Sequence, residues 1–345
     1  MVNVKKRNYS IDLLRICACF MIIMDHTAGG FFVSKPYNRW WLLADLYFFL
    51  SKPAVALFFM ISGSLLLKKE ESIKDWLVKR VLRIVLVILI FTLPHELLTS
   101  DTKFSLAGYF KFVWSSSTGS FWYLYSYLGL MVTLPILRKL VKSLDEWEYI
   151  LGFGLWLVFA SVIPQLVVDY GFLPVNSNFS LGLYGGTGYV LFILGHYLAN
   201  VATFRFERKE KLVCGALSVA CIVYAAISTR YEFLNLDKVN NFLSLDRFDA
   251  ITSIVPAVTL FLLAIKHNDS EMKMGIVISE VAKSTFGIYL LSDIGIKVLM
   301  PIYLKLLSFG INWAVSCVLY DITVFIILYA VVRVLRFVPG LKWLI

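Results

Sequence analysis

An all-α, polytopic membrane protein with about ten spanning helices and both termini cytoplasmic is the fold class this chain predicts, from three observations. Apolar residues make up 59% of 345 residues and charged residues 16%, with a mean hydropathy of +0.77. A soluble domain of that length has no core large enough to need such a composition. The apolar residues also fall in blocks of roughly 17 to 27, and about 20 residues rising 1.5 Å each cross a hydrocarbon core. Finally, the basic residues alternate between the connecting segments. With the N-terminus inside, 22 of the 33 Lys and Arg lie in inner segments and nine in outer ones, as expected when cationic loops resist translocation.

The spans follow in order. Ser10–Phe32 is long enough to cross yet carries Asp12, Arg15, Asp25 and His26; ionisable groups at membrane depth are expensive and face a polar interior or do chemistry. It reads as a retained helix, since it is longer than the apolar core of a signal peptide. Trp41–Leu67 holds Lys52 and Pro53 near its middle and Gly63 beyond them, so it kinks or breaks where it lines a cavity. Lys52 either snorkels outward from a shorter helix or is a second cation at membrane depth. Trp76–Leu93 opens with Lys79, Arg80 and Arg83, which read either as positive-inside anchors or as a phosphate-binding pair one turn apart. His95 and Glu96 at its outer end, near the depth expected for His26, read as solvated loop residues more often than as partners of it. Phe121–Leu137 begins with Phe121, Trp122, Tyr123, Tyr125 and Tyr127, either an interfacial aromatic belt or a stacking surface for a sugar or isoprenoid. Tyr149–Val168, Leu183–Val201, Leu212–Ser228 and Phe248–Ile265 are spans by hydropathy and length. His196 and His267 read as interface and loop residues. Ser284–Tyr303 carries Asp293 with Lys297 at i+4, and Ile311–Val334 carries Asp321, for which helical spacing offers no partner.

Several function classes drop out. All five cysteines fall in spans and none has CxxC or Cys/His spacing, so no metal site is expected. No P-loop and no strand-borne GxGxxG exists. The net charge of +10 is explained by inner loops against anionic lipid, with no nucleic acid required. Residues 1–345 read as a single domain with no internal repeat.

The first span has the most informative geometry. Arg15 and His26 are eleven residues apart, which returns to within roughly 20° of the same helix face and separates them by about 16 Å along the axis. Asp12 reaches Arg15 at i, i+3, while Asp25 points about 100° away from His26. One face thus bears a fixed cation at one depth and a titratable imidazole at another.

Tyr9-Ser10-Ile11-Asp12-Leu13-Leu14-Arg15 with Asp25-His26-Thr27, then Leu57-Phe58-Phe59-Met60-Ile61-Ser62-Gly63, Lys79-Arg80 with Arg83, Phe121-Trp122-Tyr123-Leu124, and Ser284-Thr285-Phe286-Gly287-Ile288-Tyr289-Leu290 together resemble the acyltransferase 3 family of integral membrane O-acyltransferases, from about residue 9 to 335. Each stretch is weak alone; five in order, including the R-x10-H pair, are specific. One position departs, with Ser292 and Asp293 where members often have a histidine. The resemblance implies acyl transfer from cytosolic acyl-CoA, a co-substrate and not a bound cofactor, to a hydroxyl of a cell-surface glycan or its lipid-linked precursor. It implies a multi-pass protein of a bacterial plasma membrane. His26 is then the catalytic histidine, with Asp25 beside it, and Arg15, Arg80 and Arg83 hold the donor's phosphates. Lys52, Trp122, Asp293 and Asp321 are accessory or acceptor-side candidates. His26 acts either as general base or through an acyl-imidazole. A transporter or flippase of a glycan or lipid intermediate is the alternative from another class.

Overall fold

A computed structural model describes residues 8–34, 40–99, 105–115, 119–170, 186–235, 245–266 and 274–345. The expected inner residues Lys5, Lys6, Arg7 and Lys273, the outer residues Lys35, Arg39, Lys103 and Lys238, His267 and the start of the sixth expected span lie outside these. Among the described residues every regular element is helical, in agreement with the all-α reading.

Two compact units divide the chain, residues 1–65 with 145–285 and residues 66–144 with 286–345. The first contains α1 (Tyr9–Ser34), α2 (Trp41–Ser51), α3 (Pro53–Leu66, whose last residue belongs to the second unit), α8 (Glu146–Trp156), α9 (Ile163–Tyr170), α10 (Thr187–His196), α11 (Arg208–Asn235), α12 (Ile251–Ile265) and α13 (Gly275–Ala282). α1 packs on α2, α12 and α13, and α11 packs on α2 and α12. The second contains α4 (Ile73–Trp76), α5 (Arg83–Thr99), α6 (Leu106–Ser115), α7 (Trp122–Ser143), α14 (Thr285–Val298, after its first residue), α15 (Met300–Ser308), α16 (Trp313–Leu335) and α17 (Pro339–Leu344).

Among the described residues six helices are long and apolar enough to cross a membrane: Trp41–Leu66, Ile73–Leu98, Trp122–Ser143, Glu146–Val167, Arg208–Glu232 and Trp313–Leu335. Thr187–Val201 and Ile251–Ile265 are shorter apolar helices. α1 runs unbroken for 26 residues through its four ionisable groups. The expected ninth span divides near Leu299, where α14 ends and α15 begins with proline in its first turn.

Local sequence explains the breaks and the bonds that repair them. Pro53 supplies no N–H, α2 stops at Ser51, and Lys52 is left at the join with its N–H 3.4 Å from the Phe49 carbonyl. Pro164 likewise cannot serve the Ala160 carbonyl four residues back; Arg247 donates to it instead, at 3.1 Å. In the second unit Pro135 leaves the Met131 carbonyl without its helical donor, and the Trp76 indole N–H takes it at 2.7 Å. Three short π-helical segments, Leu77–Leu82, Leu157–Val162 and Tyr197–Val201, continue α4, α8 and α10.

Glycines set the closest approaches. A Cβ on Gly63 would lie 1.7 Å from the Phe192 carbonyl oxygen, and one on Gly195 would lie 2.1 Å from that of Met60. The two contacts run in opposite chain directions, so α3 and α10 cross antiparallel at backbone distance, the use small residues have between membrane helices. Within the second unit Gly287 and Gly295 of α14 bear in the same way on Val332 and Leu328 of α16.

Candidate functional site

In the first unit the R-x10-H helix behaves as its spacing requires. Arg15 lies 3.6 Å from Asp12 one turn earlier, with Asp12 nearly buried. His26 follows on the same uninterrupted helix, about 16 Å along it. Asp25 does not point into empty space. Its Oδ1 lies 2.5 Å from the Lys52 ammonium and accepts the Ser51 hydroxyl at 3.0 Å. The same ammonium donates to Asp246 and sits 3.6 Å above the centre of the Phe48 ring. Lys52 is only 7% exposed, so the snorkelling reading is corrected. The lysine is an interior cation held at a proline join between two carboxylates, because an unpaired ammonium at that depth is far costlier than a paired one. Asp246 was missed from the sequence. It lies 194 positions from Lys52, beyond any helical-spacing rule.

A neighbouring set of bonds fixes the chain around Asp246. Arg247 binds Asp249 at 2.8 Å, Asp249 accepts the Thr187 hydroxyl at 3.2 Å, and the Trp156 indole donates to Thr187 at 3.4 Å. His196, expected at an interface or loop, is buried instead, with the Asn200 amide 3.4 Å from its Nδ1.

Arg80 and Arg83 belong to the second unit, whereas Arg15 belongs to the first. Arg80 grips Glu71 with a two-pronged fork, its Nε at 3.2 Å, and Arg138 reaches the same carboxylate at 2.9 Å. Arg138 also donates twice to the Leu66 carbonyl at the end of α3, at 3.1 and 3.0 Å. The Arg80 fork is the chief reason the Glu71 carboxyl is held down at about 2; burial opposes it and Arg138 adds to it. Arg83 donates from Nε and Nη2 to the Leu344 carbonyl at 3.2 and 3.0 Å, with the Phe286 ring 5.5 Å away. Glu71 and Arg138 were not singled out by the sequence, although a Lys-Lys-Glu-Glu run just before a span was a visible sign of paired charge.

The remaining candidates also fall in this unit. Trp122 is half-exposed, edge-on to Tyr123, which stacks on Tyr127 and meets Tyr289 edge to face at 5.7 Å. Asp293 accepts the Ser120 hydroxyl, and Tyr289 donates to the Ser120 carbonyl at 2.6 Å. Asp321 is wholly buried, with the Cys317 thiol 3.9 Å away one turn earlier. His95, expected in solvated loop, is 1% exposed; its Nε2 is 3.3 Å from the Leu290 carbonyl and its ring meets Phe121 edge to face at 4.6 Å. Glu96 is buried too. Among the described residues no three His, Cys, Asp or Glu side chains come together as metal ligands would.

Residues 8–333 match the family model described as an acyltransferase domain. The chain belongs to the acyltransferase 3 family. No curated protein and no solved structure matches it significantly. Family membership and the apolar helices together make it a multi-pass membrane acyltransferase. The match takes in both units almost entirely, so Arg15 and His26 of the one and Arg80 and Arg83 of the other all lie within the acyltransferase 3 domain.

Proposed function

We propose that this acyltransferase 3 protein moves an acyl group, acetyl by preference, from cytosolic acyl-CoA to a hydroxyl of a cell-surface glycan or its lipid-linked precursor in a bacterial plasma membrane. Ten spans with both termini cytoplasmic is the topology that goes with this reading. The preference for acetyl rests on a likeness in length to the O-acetyltransferase of the enterobacterial common antigen. The observation that carries the proposal is the single helix α1, which presents an arginine paired to Asp12 and, about 16 Å along, a histidine next to a carboxylate anchored by the buried Lys52.

His26 is the general base. A sugar hydroxyl is a weak nucleophile, so one nitrogen of the neutral imidazole takes its proton as the oxygen bonds to the thioester carbonyl carbon. Collapse of the tetrahedral adduct breaks the carbon–sulfur bond, and the imidazolium returns the proton to the departing CoA thiolate. Arg15, Arg80 and Arg83 are given to the donor's phosphates, whose oxygens guanidinium N–H groups match well. Lys52 and Ser51 hold the Asp25 carboxylate in place beside His26 in the chain, which fixes the backbone that carries the imidazole. Trp122, Asp293 and Asp321 are assigned to the acceptor side.

Transfer of radiolabelled acetyl from acetyl-CoA in isolated membranes tests this. Label should enter a glycan or lipid fraction with wild type and fall by at least about 100-fold with His26→Ala at matched expression, the scale of a general base; Arg15→Ala should weaken dependence on the donor. Failure of wild type to use any short acyl-CoA would move the carrier reading to first place.

A further inference from the structure

We propose that a groove in the second unit, between α4 with the Lys69–Glu71 segment before it and α7, is a seat for an anionic phospholipid. The groove holds about 660 Å³. Its wall is apolar and outward-facing, with Ile73 80%, Val132 50% and Ile136 69% exposed. All three belong to helices long and apolar enough to span a bilayer, so acyl chains are the natural cover for this surface. Its rim is charged, with Lys69, Arg138 and Lys142 alongside Glu70 and Glu71 at the head of the groove.

Charge selects the headgroup. Residues 68–83 and 138–142 contain nine Lys and Arg against Glu70, Glu71 and Asp75. Each of the three acids is already engaged, Glu71 by Arg80 and Arg138, Glu70 by Lys142 at 2.7 Å and Asp75 by Lys79 at 2.7 Å. The groove lining itself keeps an excess of one cation, three against two acids, and the segments that carry it keep an excess of six, as expected where a protein meets anionic lipid headgroups. The frame around it is rigid. Trp76 is pinned to the Met131 carbonyl, and Arg138 spends Nε and Nη2 on Leu66 and Glu71, leaving its Nη1 edge for a phosphate oxygen. A soluble phosphate ligand would use the rim and leave Ile73, Val132 and Ile136 bare; a phospholipid uses both. The inference rests on the membrane character of the protein and not on the acyl-transfer reaction.

The test is native mass spectrometry of the detergent-purified chain, titrated with phosphatidylglycerol or with phosphatidylethanolamine of the same acyl chains, in the presence and absence of CoA. Wild type should retain phosphatidylglycerol in preference. Lys69→Gln with Lys142→Gln should lower the affinity of the first phosphatidylglycerol by about 25-fold, roughly fivefold for each lysine, at an unchanged melting temperature. Ile136→Glu should lower it as well. Equal retention by wild type and the double lysine variant would overturn the proposal. So would displacement of phosphatidylglycerol by CoA, which would give the groove to a soluble phosphate.

Discussion

Lys52 is the side chain on which most of the first unit's polar interior depends. Its buried ammonium holds the two half-buried carboxylates of Asp25 and Asp246 together, and their charges would repel without it. Lys52→Met should therefore cost about 1–3 kcal/mol, less than for a fully buried pair because water reaches both carboxylates, seen as a lower melting temperature and reduced yield in detergent. Adding Asp246→Asn to it should restore part of the loss, because one of the two stranded carboxylates is then neutral; a double variant no better than the single one would show that the cluster is not held together by charge. Glu71 offers a cleaner pH readout, since it lies outside the spanning helices. Its folded carboxyl titrates at about 2 against an ordinary value near 4.5, so its contribution is complete above about pH 4.5 and disappears as the pH falls towards 2. Wild type should melt above Glu71→Gln at pH 7, and the gap should narrow by pH 3. A pH-independent gap would mean that Glu71 acts by shape alone. The sequence exposed Arg15, His26 and the Arg80/Arg83 pair because helical spacing relates residues three, four or eleven apart. It was silent on Asp246 and Arg138, whose partners come from distant segments, and it misjudged His95, whose burial depends on Phe121 and Leu290 rather than on its own neighbours.

At the scale of elements, the crossing of α3 and α10 is the tightest constraint. Gly63→Ala or Gly195→Ala would put a methyl group against rigid backbone in the facing helix, so the helices must separate. Each is expected to cost more than about 3 kcal/mol, the upper range for overpacking a filled interior. Gly215→Ala in α11 is the control. A Cβ there meets nothing within 4 Å, and alanine should stabilise that helix by about 0.5–1 kcal/mol. Thermal unfolding of the three variants under one condition decides it; equal behaviour would mean that α3 and α10 do not approach as closely as described. The six long apolar helices fall on segments that hydropathy marks, and Pro53 announced the join in the second expected span. The π-helical segments and the crossing were not readable, because backbone hydrogen-bond registers and interhelical contacts leave no periodic trace in one chain.

For the whole molecule, composition alone gave the class, since lipid-facing helices need apolar residues in excess of any core. The interleaving of the two units was hidden, because hydropathy marks which segments are apolar and not which of them associate. The basic-residue asymmetry remains the guide to orientation. Reporter fusions at Met1 and Ile345 should both report the cytoplasm, and opposite signals would require an odd number of crossings.

The π-helical turn at Leu77–Leu82 has a consequence for phase. Such a turn accommodates about one more residue than an α-turn, and each residue advances a helix by about 100°. Deleting Val81 would allow the segment to relax to a plain α-helix while Arg83 and all of α5 keep their faces towards the second unit. The residues inside the turn, Arg80 among them, would then take up the rotation, and Arg80 would swing off Glu71. A chain one residue shorter, correctly folded yet altered within a single turn, is what this segment makes possible.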